Sequence, residues 1–413
     1  MITKNRLKNE RGQALVIIAL ALIGLAGVAG LVVDGGKVFL DRRNAQNAAD
    51  SAALAAALSR VRGGQNMVTT AFTSAAENGY DNNGTTNTVE VYSPPVSGTN
   101  AGNIEYIQII ITSHVKTTFA RIVGWTELTN RVEAVSRTKI PEVRQILNGY
   151  ALVSLAPESD CNNEKAFWIH GEASLDITGG GVFVNSDNQQ CAFIQQGNGS
   201  IRINDNNRIT VMGAASIQKA QLLTPGVSVG GIPISYPPPF FMPKISCEDQ
   251  MAEVSEDGTT MSPGSWDEDF PPEGVTFLKP GVYCLNKGMT INSSLEGHDV
   301  VFRVESGDVH FDGNAKIDLD APDEGETSGL LIYLPLDNKS KVVLNGGADS
   351  QITGTILAPA STIVIKGNSS PSGFQSQIIG YRIDVDGSSN VVIVYNDEQN
   401  FNAVTMPEIQ LTE

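Results

Sequence analysis

Hydrophobic and polar positions follow different patterns along the chain, and the first pattern predicts a membrane-sized helix. From Ala14 to Val33 about 20 residues carry no charge, which is enough for one helix to cross the hydrocarbon core of a membrane. Residues 34–58 contain no proline and many strong helix formers, so the helix should continue past the apolar run. We therefore predict one helix from about residue 12 to residue 59, roughly 70 Å long at 1.5 Å per residue.

The second half of this helix presents a face of small side chains. Its members recur at spacings of three and four residues, which places them on one side of a helix: Ala45, Ala48, Ala49, Ala52, Ala53 and Ala56. Alanine lets another backbone approach closely. The face either packs against the protein's own next domain or receives a helical partner, and oligomerisation through this helix is one form of the second alternative. The sequence leaves both open.

Residues 63–147 have the pattern of a small α+β domain. MVTTAFTSAAENGY is a second helix, TVEVY, IEYIQIIITSHV and LTNRVEAVSRTKI alternate as strands, and KTTFARIVG is a short helix. We expect Ile107, Ile109 and Ile111 to form one buried face of the sheet. Phe119 and Ile122 of the short helix should cover that face.

The region from 148 to 398 consists of short strands separated by Gly, Asn and Asp. The turns Gly346-Gly347, Gly367-Asn368 and Asp386-Gly387 recur at a nearly constant interval, and each follows a β-branched run. A second series, LLIYL, GTILA and QIIGY, has a similar interval. Two interleaved series with one period favour a parallel β-helix, or solenoid, over a sandwich. We expect a proline-rich excursion at 224–280 and a tail at 399–413.

The predicted fold class is thus an N-terminal transmembrane α-helix extended into a long helix, a small α+β domain, and a mainly β C-terminal domain. The first segment is residues 1–62. A high glycine count (41) and a charged fraction of only 18% agree with turn-rich β structure.

Charge is unevenly distributed and sets the expected topology. Residues 1–62 contain nine Lys/Arg and four Asp/Glu, a balance of +5, so the rest of the chain carries −17 − 5 = −22. An acidic bulk argues against nucleic acid as a partner. Lys4, Arg6, Lys8 and Arg11 precede the apolar run, so the N-terminus should be cytoplasmic and the bulk extracytoplasmic. A cleaved signal peptide is the alternative, because small residues at 26–30 could serve a peptidase.

Four cysteines lie beyond the apolar run without CxxC spacing. In an exported region they favour two disulfides over a metal site. Of three connectivities we prefer the short loops, Cys161 with Cys191 and Cys247 with Cys284. Four buried free thiols are the alternative.

Residues with catalytic or metal-binding potential are sparse, and we predict no catalytic residue, no cofactor and no metal. Residues 226–230 read G-x-S-x-G, but the following GIPISYPPP cannot form the helix that such a nucleophile requires. The acidic clusters at 318–324 and at 384–386 lack the order of a calcium loop, and turn-forming aspartates explain them more simply.

The stretch RGQALVIIALALIGLAGVAGLVVDGGKVFLDRRNAQNAADSAALAAAL resembles the N-terminal segment of the Tad (tight adherence, Flp-type pilus) assembly proteins, in particular the TadG-like group. In that family an aspartate, an arginine, a glutamine and an alanine-rich run follow the anchor. The matching positions are Asp34, Arg42 or Arg43, Gln46 and residues 49–55. The sequence segments PGVYC, TSGLLIY and ITGTILAPAS are similar to segments of β-helical C-terminal regions in such exported proteins.

The resemblance implies a membrane-anchored, extracytoplasmic component of a Tad/Flp-type pilus assembly or adhesion apparatus, with a structural and interaction role. Its partners would be the membrane and either other pilus-assembly proteins or surface ligands. One alternative is a surface-anchored or secreted β-helical adhesin unrelated to pili. Another is a carbohydrate-active β-helix enzyme, which the sparse arginines of the repeated region favour less.

Overall fold

The computed structural model describes residues 11–63, 66–205, 207–247, 250–345, 350–366, 373–387 and 390–412. Lys4, Arg6 and Lys8 and the predicted turns at 346–347 and 367–368 lie outside the described residues. The chain divides into two compact units: unit one is Met1–Pro141 with Met406–Glu413, and unit two is Glu142–Thr405.

Unit one combines two helices with one antiparallel sheet. The long helix predicted from the N-terminal pattern is present as α1, Arg11–Val61, and α2 is Met67–Glu77. The strands are β1 (Asn87–Tyr92), β2 (Tyr106–Lys116), β3 (Glu127–Lys139) and the last strand of the chain, β32 (Glu408–Thr412). Their order in the sheet is β1-β2-β3-β32. A four-residue 3₁₀ helix, Ala120–Val123, lies between β2 and β3.

The inner face of this sheet is covered by the helices and not by the segment between β2 and β3. Ile107, Ile109 and Ile111 are fully buried, as expected, and pack in one cluster with the alanines of α1 and α2. The prediction that Phe119 and Ile122 cover them is wrong, because these side chains are 43% and 83% exposed. The small side chains of α1 let the helix lie directly on the sheet, which leaves no place there for a third element.

The C-terminal end of the chain, residues 406–413, belongs to unit one, which differs from the predicted domain division. Residues 408–412 pair with 135–139 of β3, and residues 402–404 pair with 143–145 in unit two. The segment 399–413 is therefore not a separate tail. Likewise, residues 1–62 are not a separate domain, because α1 forms the core of unit one with the sheet. Pairing between segments so far apart in the chain leaves no local signal in the sequence.

Unit two is built mainly from short strands, although the described residues of one longer segment, 230–259, form none. Its strands are β4 Val143–Gln145, β5 Tyr150–Ser154, β6 Phe167–Ile169, β7 Ser174–Thr178, β8 Gly181–Val184, β9 Phe193–Gln195, β10 Ser200–Ile203, β11 Ile209–Val211, β12 Ala215–Ile217, β13 Leu223–Thr224, β14 Val227–Val229, β15 Thr260–Met261, β16 Gly264–Trp266, β17 Phe277–Leu278, β18 Gly281–Leu285, β19 Met289–Ile291, β20 Leu295–Gly297, β21 Val300–Val304, β22 Val309–Phe311, β23 Ile317–Asp320, β24 Leu330–Tyr333, β25 Val342–Asn345, β26 Gln351–Thr353, β27 Thr355–Lys366, β28 Phe374–Gln375, β29 Ile378–Val385, β30 Asn390–Val394 and β31 Asn402–Val404.

Apart from β4 and β31, which pair antiparallel with each other, these strands form parallel ladders, so the prediction of a mainly β C-terminal region is confirmed. One sheet has the order β13-β10-β7-β30-β28-β26-β23-β20-β17-β15. A second has the order β14-β11-β8-β5-β29-β27-β24-β21-β18-β16, and a branch of it runs β12-β9-β6-β29-β27-β25-β22-β19. Val342 pairs with Ile363 and Ile363 with Ile383, so each partner lies one predicted interval further along the chain. The predicted period therefore corresponds to parallel pairing in register.

The order of the strands along the ladders departs from their order in the chain. The first strands of the parallel region pair with the last, since Leu152 pairs with Ile378 and Leu175 with Val391. The chain thus enters the ladders in the middle, continues to β14, and resumes at β15 at the other edge. The predicted excursion at 224–280 is too long, because β15, β16 and β17 already belong to the ladders. Their length of two or three residues hides them among prolines and glycines.

Candidate functional site: the packed face of the N-terminal helix

The alanine face of α1 lies inside unit one. All six predicted members, Ala45, Ala48, Ala49, Ala52, Ala53 and Ala56, have no exposed surface, and neither has Ala57. They pack with Ala71 and Ala75 of α2 and with Ile107, Ile109 and Ile111 of β2. Of the two alternatives for this face, the structure therefore places the protein's own domain against it.

Small side chains bring the backbone of α1 within hydrogen-bond reach of β3. Ser136 Oγ donates to the carbonyl oxygen of Ala53 at 2.9 Å. Gln46 Nε2 donates to the carbonyl oxygen of Glu133 at 3.0 Å and to Asp50 Oδ1 at 2.9 Å. Two polar side chains thus fix the position of the helix along the strand, whereas alanine packing alone would let it slide.

Asp34 joins α1 to the segment between β2 and β3. Its side chain is 3% exposed and accepts three backbone N–H groups, from Thr118 and Phe119 at 2.8 Å and from Ala120 at 2.7 Å. The carboxylate therefore caps the first turn of the 3₁₀ helix, where N–H groups have no partner within the helix. These donors, that of Ala120 foremost, hold the pKa of Asp34 below its ordinary value.

Asp41 forms a second set of polar contacts between α1 and the rest of unit one, two turns further along the helix. It accepts hydrogen bonds from Ser113 Oγ of β2, from Asn130 Nδ2 of β3 at 2.7 Å and from Tyr80 Oη at 3.1 Å. Asn130 also donates to the carbonyl oxygen of Val38 at 3.0 Å. Burial, and then the Asp41 carboxylate, raise the pKa of the Tyr80 phenol, so the phenol stays a donor.

Asp34 and Asp41 extend the alanine face toward the N-terminus. Asp41 is seven residues after Asp34 and four before Ala45, so the three positions share one side of the helix. The family resemblance includes Asp34 and Gln46 but not Asp41. Extending the three-and-four spacing upstream of the alanines would have found it. Arg42 and Arg43, of which the resemblance includes one or the other, are both exposed.

The first half of α1 is built differently. Its large apolar side chains between Leu15 and Val33 are exposed, most of them by more than half. From Ala14 onward the helix is long and apolar enough to cross a membrane, a property that it shares with signal sequences. One helix therefore has an uncovered apolar half and a half that is packed in a folded unit.

In unit two the four cysteines form two disulfides. Cys161 is bonded to Cys191 and Cys247 to Cys284, with sequence separations of 30 and 37. These are the two short loops among the three connectivities. Each bond ties a segment outside the ladders to the neighbourhood of a ladder strand, because Cys161 and Cys247 lie outside strands and Cys284 lies in β18.

Acidic residues that suggested calcium are in contact with histidines. His298 Nδ1 contacts Asp320 Oδ2, and His170 Nε2 is 3.0 Å from Asp384 Oδ1. Burial raises the pKa of Asp384, and His170 acts in the opposite direction. Within the ranges that the structure describes, no group of three or more His, Cys, Asp and Glu is arranged to hold a metal ion.

A comparison with known protein families matches the N-terminal helix. Residues 12–59 match the model of the Tad family, described as Flp pilus-assembly TadE/G-like. This range includes Asp34, Asp41 and the alanine face, and the match confirms the resemblance predicted from the same stretch. No curated protein and no solved structure matches the chain.

Proposed function

We propose that this protein is a membrane-anchored, extracytoplasmic component of a Tad/Flp-type pilus assembly or adhesion apparatus, with a structural and interaction role and no catalytic one. The observation that carries the proposal is the coincidence of the family match at 12–59 with a helix of two differently built halves. An uncovered apolar half suits a bilayer, and a half buried in unit one suits a rigid link to a folded domain.

Two further observations support the topology in this proposal. Arg11 and the basic residues that precede it favour a cytoplasmic N-terminus. Disulfides at Cys161–Cys191 and Cys247–Cys284 are typical of an oxidising compartment, so unit two belongs on the extracytoplasmic side. The helix in this proposal is a retained anchor and not a cleaved signal.

Unit two is, in this proposal, a parallel β-helix that offers surface for ligands. In-register parallel pairing at a regular interval supports it, as does a core of inward-facing aliphatic and aromatic side chains such as Phe167 and Phe193, stacked with ring centroids 5.0 Å apart. Pilus-assembly proteins or surface ligands are the partners that this architecture would bind along its outer strands.

Fractionation of native cells tests the proposal. We expect the full-length chain in the membrane fraction, lighter by four hydrogens than the reduced chain because of its two disulfides, and pulled down together with pilus-assembly proteins. A chain that starts near residue 31 and is found in the medium would contradict the anchor. A membrane-bound chain without pilus proteins would favour a separate adhesin, and release of sugars in a glycan screen would contradict a non-enzymatic role.

A further inference from the structure

The segment that joins β2 to β3, residues 117–126, is hydrogen-bonded to α1. We refer to it as the β2–β3 loop. Asp34 accepts its three backbone N–H groups at 2.7–2.8 Å, and Lys37 Nζ donates to Thr118 Oγ1 at 2.7 Å. The loop is also closed internally, because the Trp125 N–H donates to the carbonyl oxygen of Ala120 at 3.1 Å and Thr117 Oγ1 donates to that of Trp125. Its position relative to the helix is therefore defined.

This position is level with the end of the apolar run. Phe119 lies against Gly30, where an added Cβ would stand 2.5 Å from Phe119 Cβ, so only glycine permits the contact. Gly30 lies three residues before the end of the run at Val33, or about 5 Å at 1.5 Å per residue. Because about 20 helical residues match a hydrocarbon core of about 30 Å, the last turn of the run lies at its boundary with the headgroups.

The loop presents large apolar side chains outward. Phe119, Ile122 and Trp125 are 43%, 83% and 62% exposed, although they lie within seven residues of one another. Packing within unit one does not account for them, since the inner face of the sheet is covered by α1 and α2. A cluster of exposed apolar side chains marks a binding surface, and tryptophan is enriched where membranes meet water.

Charged residues around the loop fit the same partner. Lys37, Lys116 and Arg121 are exposed, while the carboxylate of Asp34 is turned inward onto the backbone amides. Glu127 is the exposed carboxylate next to the loop, and it is 2.9 Å from His114 Nδ1. Basic side chains on long aliphatic stems suit the phosphate level of a bilayer, where they reach the headgroups while their stems stay apolar.

We infer that the β2–β3 loop is a second membrane contact, in which Phe119, Ile122 and Trp125 enter the interfacial layer of the phospholipid bilayer that α1 crosses. This inference rests on the proposed anchoring of α1. A lone helix can tilt and rotate in a bilayer, whereas a helix with an inserted loop on one side is fixed in rotation. The contact would thus hold unit one in one orientation on the membrane surface.

Fluorescence of Trp125 in vesicles tests the inference. The full-length chain with Trp168→Phe and Trp266→Phe keeps Trp125 as its single tryptophan, and it is reconstituted into vesicles of phosphatidylcholine and phosphatidylglycerol. We expect blue-shifted emission, quenching by lipids brominated near the carbonyl end of the acyl chain, and protection from iodide. Flotation of the vesicles and carbonate extraction report separately whether α1 anchors the chain.

Two aspartate variants provide the matched comparison. Ile122→Asp should float with the vesicles but lose the bromolipid quenching of Trp125. Ile104→Asp should keep it, because Ile104 is similarly exposed, at 69%, but lies at the other end of β2.

The possible outcomes distinguish failure of the proposed loop contact from failure of the proposed α1 anchor. Loss of flotation would overturn the anchor and the loop contact together. A floating protein whose Trp125 is open to iodide would overturn the loop contact alone. Protection from iodide without bromolipid quenching would point to a protein neighbour and would also overturn it.

Discussion

Single carboxylates decide how α1 is attached, and Asp34 is the clearest case. Replacement by asparagine keeps the size but removes the charge and one of the two oxygens that accept the loop amides. We expect Asp34→Asn to accelerate hydrogen exchange at the amides of Thr118, Phe119 and Ala120 severalfold, measured by mass spectrometry on the full chain. Asp50→Asn is the control, since Asp50 accepts from the Gln46 side chain and does not contact the loop amides. Unchanged exchange at 118–120 would contradict this role.

His298 offers a test of electrostatics in unit two. Its contact with Asp320, a hydrogen bond reinforced by charge, raises the pKa of the imidazole. A raised pKa means that the contact stabilises the folded state fully below the ordinary value of about 6.5 and that this contribution is lost as the pH rises through the raised value. We expect an NMR titration midpoint above about 6.5 that Asp320→Asn lowers.

A second variant separates the effect of the Asp320 hydrogen bond on the His298 pKa from the effect of a nearby negative charge alone. Asp318 acts on His298 through its charge, so Asp318→Asn should lower the midpoint less than Asp320→Asn does. Equal shifts in both variants would mean that the hydrogen bond contributes little.

At the scale of whole elements, what the sequence predicts depends on whether a pattern is local. The length of α1 and its alanine face follow from spacings of three and four, and both are present. The place of Phe119 and Ile122 could not be predicted in the same way. Their side chains could pack against the sheet or lie beside the helix. Which of the two occurs depends on the hydrogen bonds to Asp34, which is distant from them in the sequence. Side-chain hydrogen bonds between such distant positions leave no periodic signal.

Ala49 tests how tightly α1 packs on the sheet. Because Ala49 has no exposed surface, leucine there must displace its neighbours, and overpacking of this kind costs about 1–3 kcal/mol of unfolding free energy. We expect Ala49→Leu to lower the denaturant midpoint of unit one in detergent micelles, while Ala55→Leu, at a half-buried position of the same helix, lowers it less. An unchanged midpoint combined with lost binding of a pilus component would instead assign the alanine face to a partner.

At the scale of the whole chain, the sequence predicts which strands pair locally but not where the ladders begin. The regular interval between apolar runs relates Val342, Ile363 and Ile383, and these residues pair as neighbours. No such interval relates Leu152 to Ile378, which lie near opposite ends of the repeated region and yet pair directly. Apolar strands of similar length have the same hydrophobic pattern in the sequence, so the pattern does not determine their order along the ladders. That order must be set by packing of the complete unit. The entry of the chain in the middle of the ladders is therefore a property that only the structure reveals.

This order can be tested by cross-linking, because it places residues from the two ends of the repeated region side by side. Ser174 pairs with Ser200 on one side and with Asn390 on the other, and Ser174 Oγ donates to Asn390 Oδ1 at 2.7 Å. Neighbouring strands are about 4.8 Å apart, within the range of a disulfide, whereas strands two apart are about 9.6 Å apart and beyond it. The native cysteines are all paired and leave the new thiols to react with each other.

Ser174→Cys with Asn390→Cys should therefore form a disulfide on mild oxidation, detected by non-reducing peptide mapping of the full chain. Ser200→Cys with Asn390→Cys is the matched control and should stay reduced, because β7 separates β10 from β30. Strands stacked simply in chain order would leave both pairs unlinked, since residues 174 and 390 would then lie at opposite ends of the ladders. A link in the first pair alone requires the chain to enter the ladders in the middle. This entry leaves β13 and β14 at one edge of the two main ladders and β15 and β16 at the other edge.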